Sequence, residues 1–331
     1  MDSWDNPAFE AMQAYHRTAA LTAAIKLDVV TLIGGGATSE ALAEKTATSV
    51  RGMRILCDFL TVIGLLSKQD GVYAATEPSK RYLDRSSPAW IGSAIDFFAA
   101  PEMLSLVLDD PVSYVKRGGS AGFAHLAPDH PIWVRYANAA TPIARVTAKR
   151  AAAYLATPPS PPAAVLDVAA GHGYYGIELA KAFPEVVVTA VDWPSVLTLA
   201  TSNASEAGVS GRYRTVPGNA FEVDWGNDFD LVILANILHY LSAEECAALL
   251  RKVKSSLSAR GQAYAVEFVP NEDRVSPPTQ AMFAYLMLAT SPGGDAHTLS
   301  DYDNIAKAAG FRGATSRPIR PTPESLVMFE S

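Results

Sequence analysis

From Val165 to Gly176 the chain reads Val-Leu-Asp-Val-Ala-Ala-Gly-His-Gly-Tyr-Tyr-Gly, an apolar run that closes on an acid and breaks into glycines. Glycines at a strand-to-helix turn let backbone approach a ligand closely, with N–H groups free to face it. Gly171, Gly173 and Gly176 match the Gly-x-Gly-x-x-Gly dinucleotide fingerprint, a pattern of low specificity when it stands alone. Asp167 precedes the glycines, where a carboxylate reaches an ammonium group of a bound nucleoside through backbone or water. Asp192 ends the next apolar run, and an acid there can accept both hydroxyls of a ribose. Beside it, Trp193 can stack on a purine. Downstream, the amide of Asn219 in Gly218-Asn219-Ala220-Phe221 suits the purine edge, and Phe221 can wall the ring. The acid at 192 serves NAD and S-adenosylmethionine equally well, so it marks a nucleoside without choosing between them.

These side chains need a scaffold that brings strand ends together. Residues 163–168, 186–191, 212–216, 229–235 and 262–268 read as strands, with helices from the glycine turn to 183, from about 194, and over 243–257. Apolar strands alternating with helices predict a parallel sheet covered on both faces, with ligands at the carboxyl ends of the strands. Residues 157–162 carry Pro158, Pro159, Pro161 and Pro162, which neither continue a helix nor pair in a central strand. That stretch reads as a stiff linker between a domain at 1–156 and a domain at 163–331.

The first domain reads as mainly helical. Phe9, Met12, Ala19, Ala23 and Leu27 recur at helical spacings. A short helix at 40–45 and a second at 50–63, presenting Ile55, Phe59 and Val62 on one side, lead into strand pieces at 65–68 and 72–74. Gln69-Asp70-Gly71 between those pieces is a hairpin signal. Helix, helix, hairpin is the layout of a winged helix, which raises the rival reading of a ligand-sensing DNA-binding regulator. Charge argues otherwise: residues 39–85 hold seven basic and six acidic side chains, too even a balance for phosphate contacts. A packing or dimerisation module fits better.

Over the whole chain of 331 residues the formal charge is -7 and 49% of residues are hydrophobic. An acidic protein without a basic run predicts neither nucleic acid nor anionic membrane as partner. Cys57 and Cys246 are too few for a disulfide framework, and the opening residues lack an export signal's layout. No apolar stretch approaches the roughly 20 residues of a membrane span. The expectation is a soluble cytoplasmic protein.

The run from Phe229 to Cys246, Phe-Asp-Leu-Val-Ile-Leu-Ala-Asn-Ile-Leu-His-Tyr-Leu-Ser-Ala-Glu-Glu-Cys, resembles the histidine-bearing segment of small-molecule O-methyltransferases of the caffeic acid and acetylserotonin type. The glycine turn is similar to the acid-x-Gly-x-Gly-x-Gly motif of class I methyltransferases, with Ala169 for the first glycine. Glu267 in Ala-Val-Glu-Phe and Ser291-Pro292-Gly293-Gly294 before a helix at 301–311 extend the likeness over nearly the whole chain. The resemblance implies a bacterial-type member with an α/β fold. Its catalytic domain is Rossmann-like, with a doubly wound, mostly parallel seven-stranded sheet. A winged-helix dimerisation domain precedes it, making a homodimer. It implies S-adenosylmethionine as donor, S-adenosylhomocysteine as product and no metal. The implied cofactor contacts are Asp167, Ala169, Gly171, Gly173, Asp192, Trp193, Asn219, Ala220, Phe221 and Asn236.

By the same resemblance His239 matches the general base and Glu267 the acid that orients it; an imidazole titrating near neutrality can take a hydroxyl proton. Four positions depart from the family: Tyr240 stands for the usual Asp, Ala296 for a second Glu, Ala235 for a basic residue, and Asn219 for an acid. The implied acceptor is a small aromatic or polyketide-like metabolite. Phe98, Met103, Trp133, Tyr136, Phe283 and Met287 are its candidate walls, joined by Phe97. Asn138, Asp273 and His297 are candidate polar anchors, and Trp4 and Phe9 of a partner subunit could add a wall. The altered residues around His239 keep N- or C-methylation, or non-methylating chemistry at the same cofactor site, as alternatives. NAD-dependent oxidoreduction is a further rival.

Overall fold

A computed structural model of the chain describes residues 6–123, 126–127, 129–155 and 161–331. Trp4 and most of the Pro-rich stretch therefore lie outside the described residues. The chain forms two compact units, Met1–Pro101 and Glu102–Ser331.

In the first unit, β1 (Ala37–Thr38), β2 (Leu66–Gln69) and β3 (Val72–Ala75) form an antiparallel sheet in the order β1-β3-β2. Asp70 and Gly71 join β2 to β3 with φ of 49° and 80°, the left-handed pair that a tight hairpin requires. The helices Ser39–Thr46 and Val50–Val62 precede the hairpin, which completes the winged helix. Its core takes Met53, Cys57 and Leu60 from the second helix. Ile55 and Val62, read as sharing one side of this helix, are exposed, because the buried stripe follows 53-57-60. Along the helix Pro7–Lys26 only Ala24 is buried, and Phe9, Met12 and Tyr15 face outward.

The second unit is built on β4 (Ala164–Val168), β5 (Val187–Asp192), β6 (Tyr213–Pro217), β7 (Phe229–Ala235), β8 (Leu257–Glu267), β9 (Gly313–Pro318) and β10 (Ser325–Glu330). They form one seven-stranded sheet ordered β6-β5-β4-β7-β8-β10-β9, parallel except where β10 pairs antiparallel with β8 and β9. Alternate residues serve opposite faces. Val165, Leu231, Ile233 and Tyr264 join the core under the helices Ile132–Leu155, Tyr174–Ala182 and Pro194–Glu206. Leu166, Val232, Leu234 and Ala263 join the core under Ala243–Ser256 and Leu299–Ala308. The fold is thus doubly wound. Between β4 and its neighbours β5 and β7 the strand order reverses, and such switch points open a crevice at the carboxyl ends.

The units divide at Pro101 and Glu102, not at 157–162. The reason lies in the helix Ile132–Leu155, whose Ala144, Ala148, Ala151, Ala152 and Leu155 are buried in the sheet's own core.

Candidate active site

At the end of β4, residues 169, 171 and 173 all adopt positive φ, at 55°, 57° and 80°. The alternation that reads as a glycine motif in sequence is therefore an alternation of left-handed backbone. Two of the three positions use glycine, and Ala169 bears the steric cost of a Cβ there. The glycines then divide their work. A Cβ on Gly171 would meet nothing nearer than the Ala169 carbonyl at 3.9 Å, so this residue faces open space. Gly173 packs against Ala200 and the Tyr213 hydroxyl, and Gly176 against Val188 and Asp167. Gly173, expected at the ligand, also admits the close packing of the turn on Ala200 and Tyr213.

Asp167 is fully buried; its Oδ2 accepts from Gly176 N at 2.9 Å, and its Oδ1 has no partner. Asp192, half-buried at the end of β5, accepts from Gly171 N at 2.8 Å and from Trp193 N at 2.7 Å. The Gly171 N–H is therefore committed to Asp192 rather than left for a ligand. Burial pushes the Asp167 carboxyl up to about 7 against the lowering effect of Gly176 N, with help from Asp192. Burial likewise raises Asp192 to about 6, opposed by its two backbone donors.

Asp192, but not the buried Asp167, lines a cavity of about 310 Å³, a size typical of small-ligand sites. Ala169, Gly171, Asp192, Trp193 and Asn236 line it from the cofactor set, and Trp133 and Tyr136 from the acceptor set. Asn236 has φ 56°, a left-handed conformation that asparagine tolerates, and its buried Oδ1 has no hydrogen-bond partner. Sequence reasoning missed His172, Tyr175 and Phe123 in the wall. His172 sits inside the glycine motif itself; burial, then the Arg145 guanidinium, push it down to about 4, so it is neutral.

Several expected residues lie outside this wall. The Asn219 amide accepts from Phe221 N and donates to Glu222 in a local turn, while the Ala220 carbonyl is held by Lys252 Nζ at 2.8 Å. Phe221 is exposed. Met103 and Met287 are buried core residues, and Phe98 belongs to the other compact unit, where it is exposed beside Phe97. Among the expected polar anchors, Asn138 donates to the Val134 carbonyl and Asp273 caps Val275 and Ser276. His297 meets the Leu241 carbonyl.

Behind the cavity wall, the turn Leu238–Tyr240 presents His239. Its Nδ1 lies 2.5 Å from Oε2 of Glu267, the last residue of β8. Both side chains are buried, at 1% and 0% exposure. The other carboxylate oxygen, Oε1, accepts from Ile237 N at 3.1 Å and Leu238 N at 2.8 Å. One acid thus fixes both the imidazole and the backbone that carries it. His239 Nε2 is buried without a partner. Phe283 meets the imidazole edge to face at 4.8 Å and stacks on Phe268. The backbone of 239–240 also abuts Gly294, where any Cβ would collide with the His239 carbonyl.

The O-methyltransferase domain model matches residues 104–312, and the O-methyltransferase dimerisation domain model matches residues 9–85. The 3-hydroxy-5-methyl-1-naphthoate 3-O-methyltransferase of Streptomyces sahachiroi is 27% identical over 89% of this chain and 86% of its own. A phenazine O-methyltransferase of Lysobacter antibioticus is 27% identical over 97% and 94%. A crystal structure from Nostoc punctiforme, assigned as an O-methyltransferase, shares 40% identity with a TM-score of 0.94, over 98% of this chain and 99% of that one. Human N-acetylserotonin methyltransferase, in complex with S-adenosylmethionine, shares the fold at 20% identity and a TM-score of 0.84, over 100% and 99%.

Proposed function

The chain belongs to the O-methyltransferase family, and on that premise we propose that His239 is the general base that deprotonates a hydroxyl of a small planar acceptor. S-adenosylmethionine is the methyl donor; when bound it would supply an electrophilic methyl group on its sulfonium, with S-adenosylhomocysteine as the leaving group. The residues present suit it. Asp192 keeps lone pairs for a ribose diol, Gly171 opens onto free space, and the unpartnered Oδ1 of Asn236 offers an acceptor to a cationic group.

One observation carries the proposal: the 2.5 Å contact between His239 Nδ1 and Glu267, with Nε2 left unpartnered. A carboxylate at Nδ1 selects the tautomer that carries its proton there, so Nε2 is the basic nitrogen. Taking a proton at Nε2 makes an imidazolium, which Glu267 is placed to stabilise. Three donors to Glu267 offset the cost of burying that charge. Trp133, Tyr136, Phe123 and Tyr240 give the cavity flat apolar walls, and the naphthoate and phenazine substrates named for two relatives are flat rings. The acceptor we assign is accordingly an aromatic hydroxyl compound. Residues 1–101 we assign to homodimerisation, on the dimerisation-domain match and the outward Phe9 and Met12. Two buried free cysteines are in keeping with the reducing cytoplasm as its location.

The test is kinetic. His239→Ala lowers kcat by about 10²–10⁴-fold, the range for a lost general base, while S-adenosylhomocysteine affinity holds within about threefold. Glu267→Gln lowers kcat by a smaller factor. Unchanged turnover in His239→Ala would remove the base from this role.

A further inference from the structure

Tyr240 stands directly after the histidine, in the same turn, and lines the same cavity. Its ring lies 4.8 Å from the His239 imidazole and meets Tyr136 edge to face at 6.1 Å and 89°. The two phenol rings therefore brace each other in the cavity wall. The backbone of Tyr240 is fixed as well, since its carbonyl carbon abuts Gly294. Among the described residues its hydroxyl makes no hydrogen bond.

We infer that Tyr240 determines acceptor specificity, its hydroxyl donating a hydrogen bond to an oxygen substituent adjacent to the hydroxyl that is methylated. This rests on the acceptor site proposed above. A hydroxyl with no protein partner in the cavity wall favours an acceptor that supplies the partner over one that does not. The group acts as a donor, because burial and then the Glu267 carboxylate hold its proton well above the ordinary tyrosine range. Its ring lies 4.8 Å from the imidazole of the base, so the oxygen assigned to it is a near neighbour of the reacting one. That describes a 1,2-dioxygenated ring, or a ring hydroxyl beside a carbonyl, in preference to an isolated phenol.

The test compares 2,3-dihydroxynaphthalene with 2-naphthol, which differ by the neighbouring oxygen alone. Binding of each is measured by calorimetry with S-adenosylhomocysteine present, for the wild type and Tyr240→Phe. The wild type prefers the diol by about tenfold, and Tyr240→Phe removes that preference while leaving 2-naphthol within twofold. Where turnover is seen, the loss falls on KM and spares kcat. Equal weakening of both ligands, an unchanged preference, or binding of neither would overturn the proposal. Binding requires no proton transfer, so a failure of His239 as base would show in turnover and leave this comparison standing.

Discussion

Burial sets the chemistry of Asp167, a carboxyl that touches one backbone donor and no water-exposed surface. Its folded value of about 7 lies above the roughly 3.9 of an unfolded chain. The folded state therefore holds a proton that the unfolded state releases. The stability linked to this proton is present below about pH 4 and is lost as pH rises towards 7. Urea unfolding of the ligand-free protein at pH 5, 7 and 8 should show falling stability, and Asp167→Asn should flatten the trend. Parallel curves for the two proteins would contradict the assignment. At this scale the sequence displayed the two acids clearly, since each closes an apolar run. It did not display Tyr175 or Phe123, because a wall residue is defined by how distant segments meet, here the helices Tyr174–Ala182 and Ile132–Leu155 and the chain near 290. Asn219 and Phe221 were legible as types, but they do not line the cavity, and Lys252 holds the carbonyls of Ala220 and Val223 in their loop.

The turns are the elements on which the site depends. Ala169 holds a left-handed conformation that costs an L-residue about 1–2 kcal/mol. Ala169→Gly should raise unfolding stability by about 1 kcal/mol, less the entropy that glycine loses on folding, as measured by denaturant titration. A decrease would mean that the alanine methyl packs usefully in the cavity wall. At the other turn, Gly294→Ala should displace the backbone of 239–240 and lower kcat by about tenfold or more, because small misplacements of a base are costly. Donor affinity should hold, since Gly294 lies outside the glycine turn. Strands β4, β5 and β7 were legible because buried parallel strands are near-continuous apolar runs. The pair β9 and β10 was not read from the residues: β9 is a largely exposed edge strand, Gly-Ala-Thr-Ser-Arg-Pro, with little apolar signal. The role of Gly176 was also hidden, as only the packed helix shows that it admits Asp167 and Val188.

At the scale of the molecule, each unit has its own core, and the composition break at 157–162 marks no division between them. Proline content reports where the chain cannot continue a helix, whereas a unit boundary follows from which core a helix fills. Phe9, Met12 and Tyr15 are exposed along one helix, and the homodimer proposed above would cover them. Phe9→Asp combined with Met12→Asp should sediment as a monomer; retention of the dimer would place the interface elsewhere. Among the described residues no helix is long and apolar enough to cross a membrane. The account rests most heavily on the crevice where β4 meets β5 and β7. The direct measurement is a crystal structure with S-adenosylhomocysteine at saturation. The ribose hydroxyls should lie on Asp192, with the amino-acid end against Gly171 and Asn236. Density for the nucleoside at another place, with this cavity left vacant, would contradict the account.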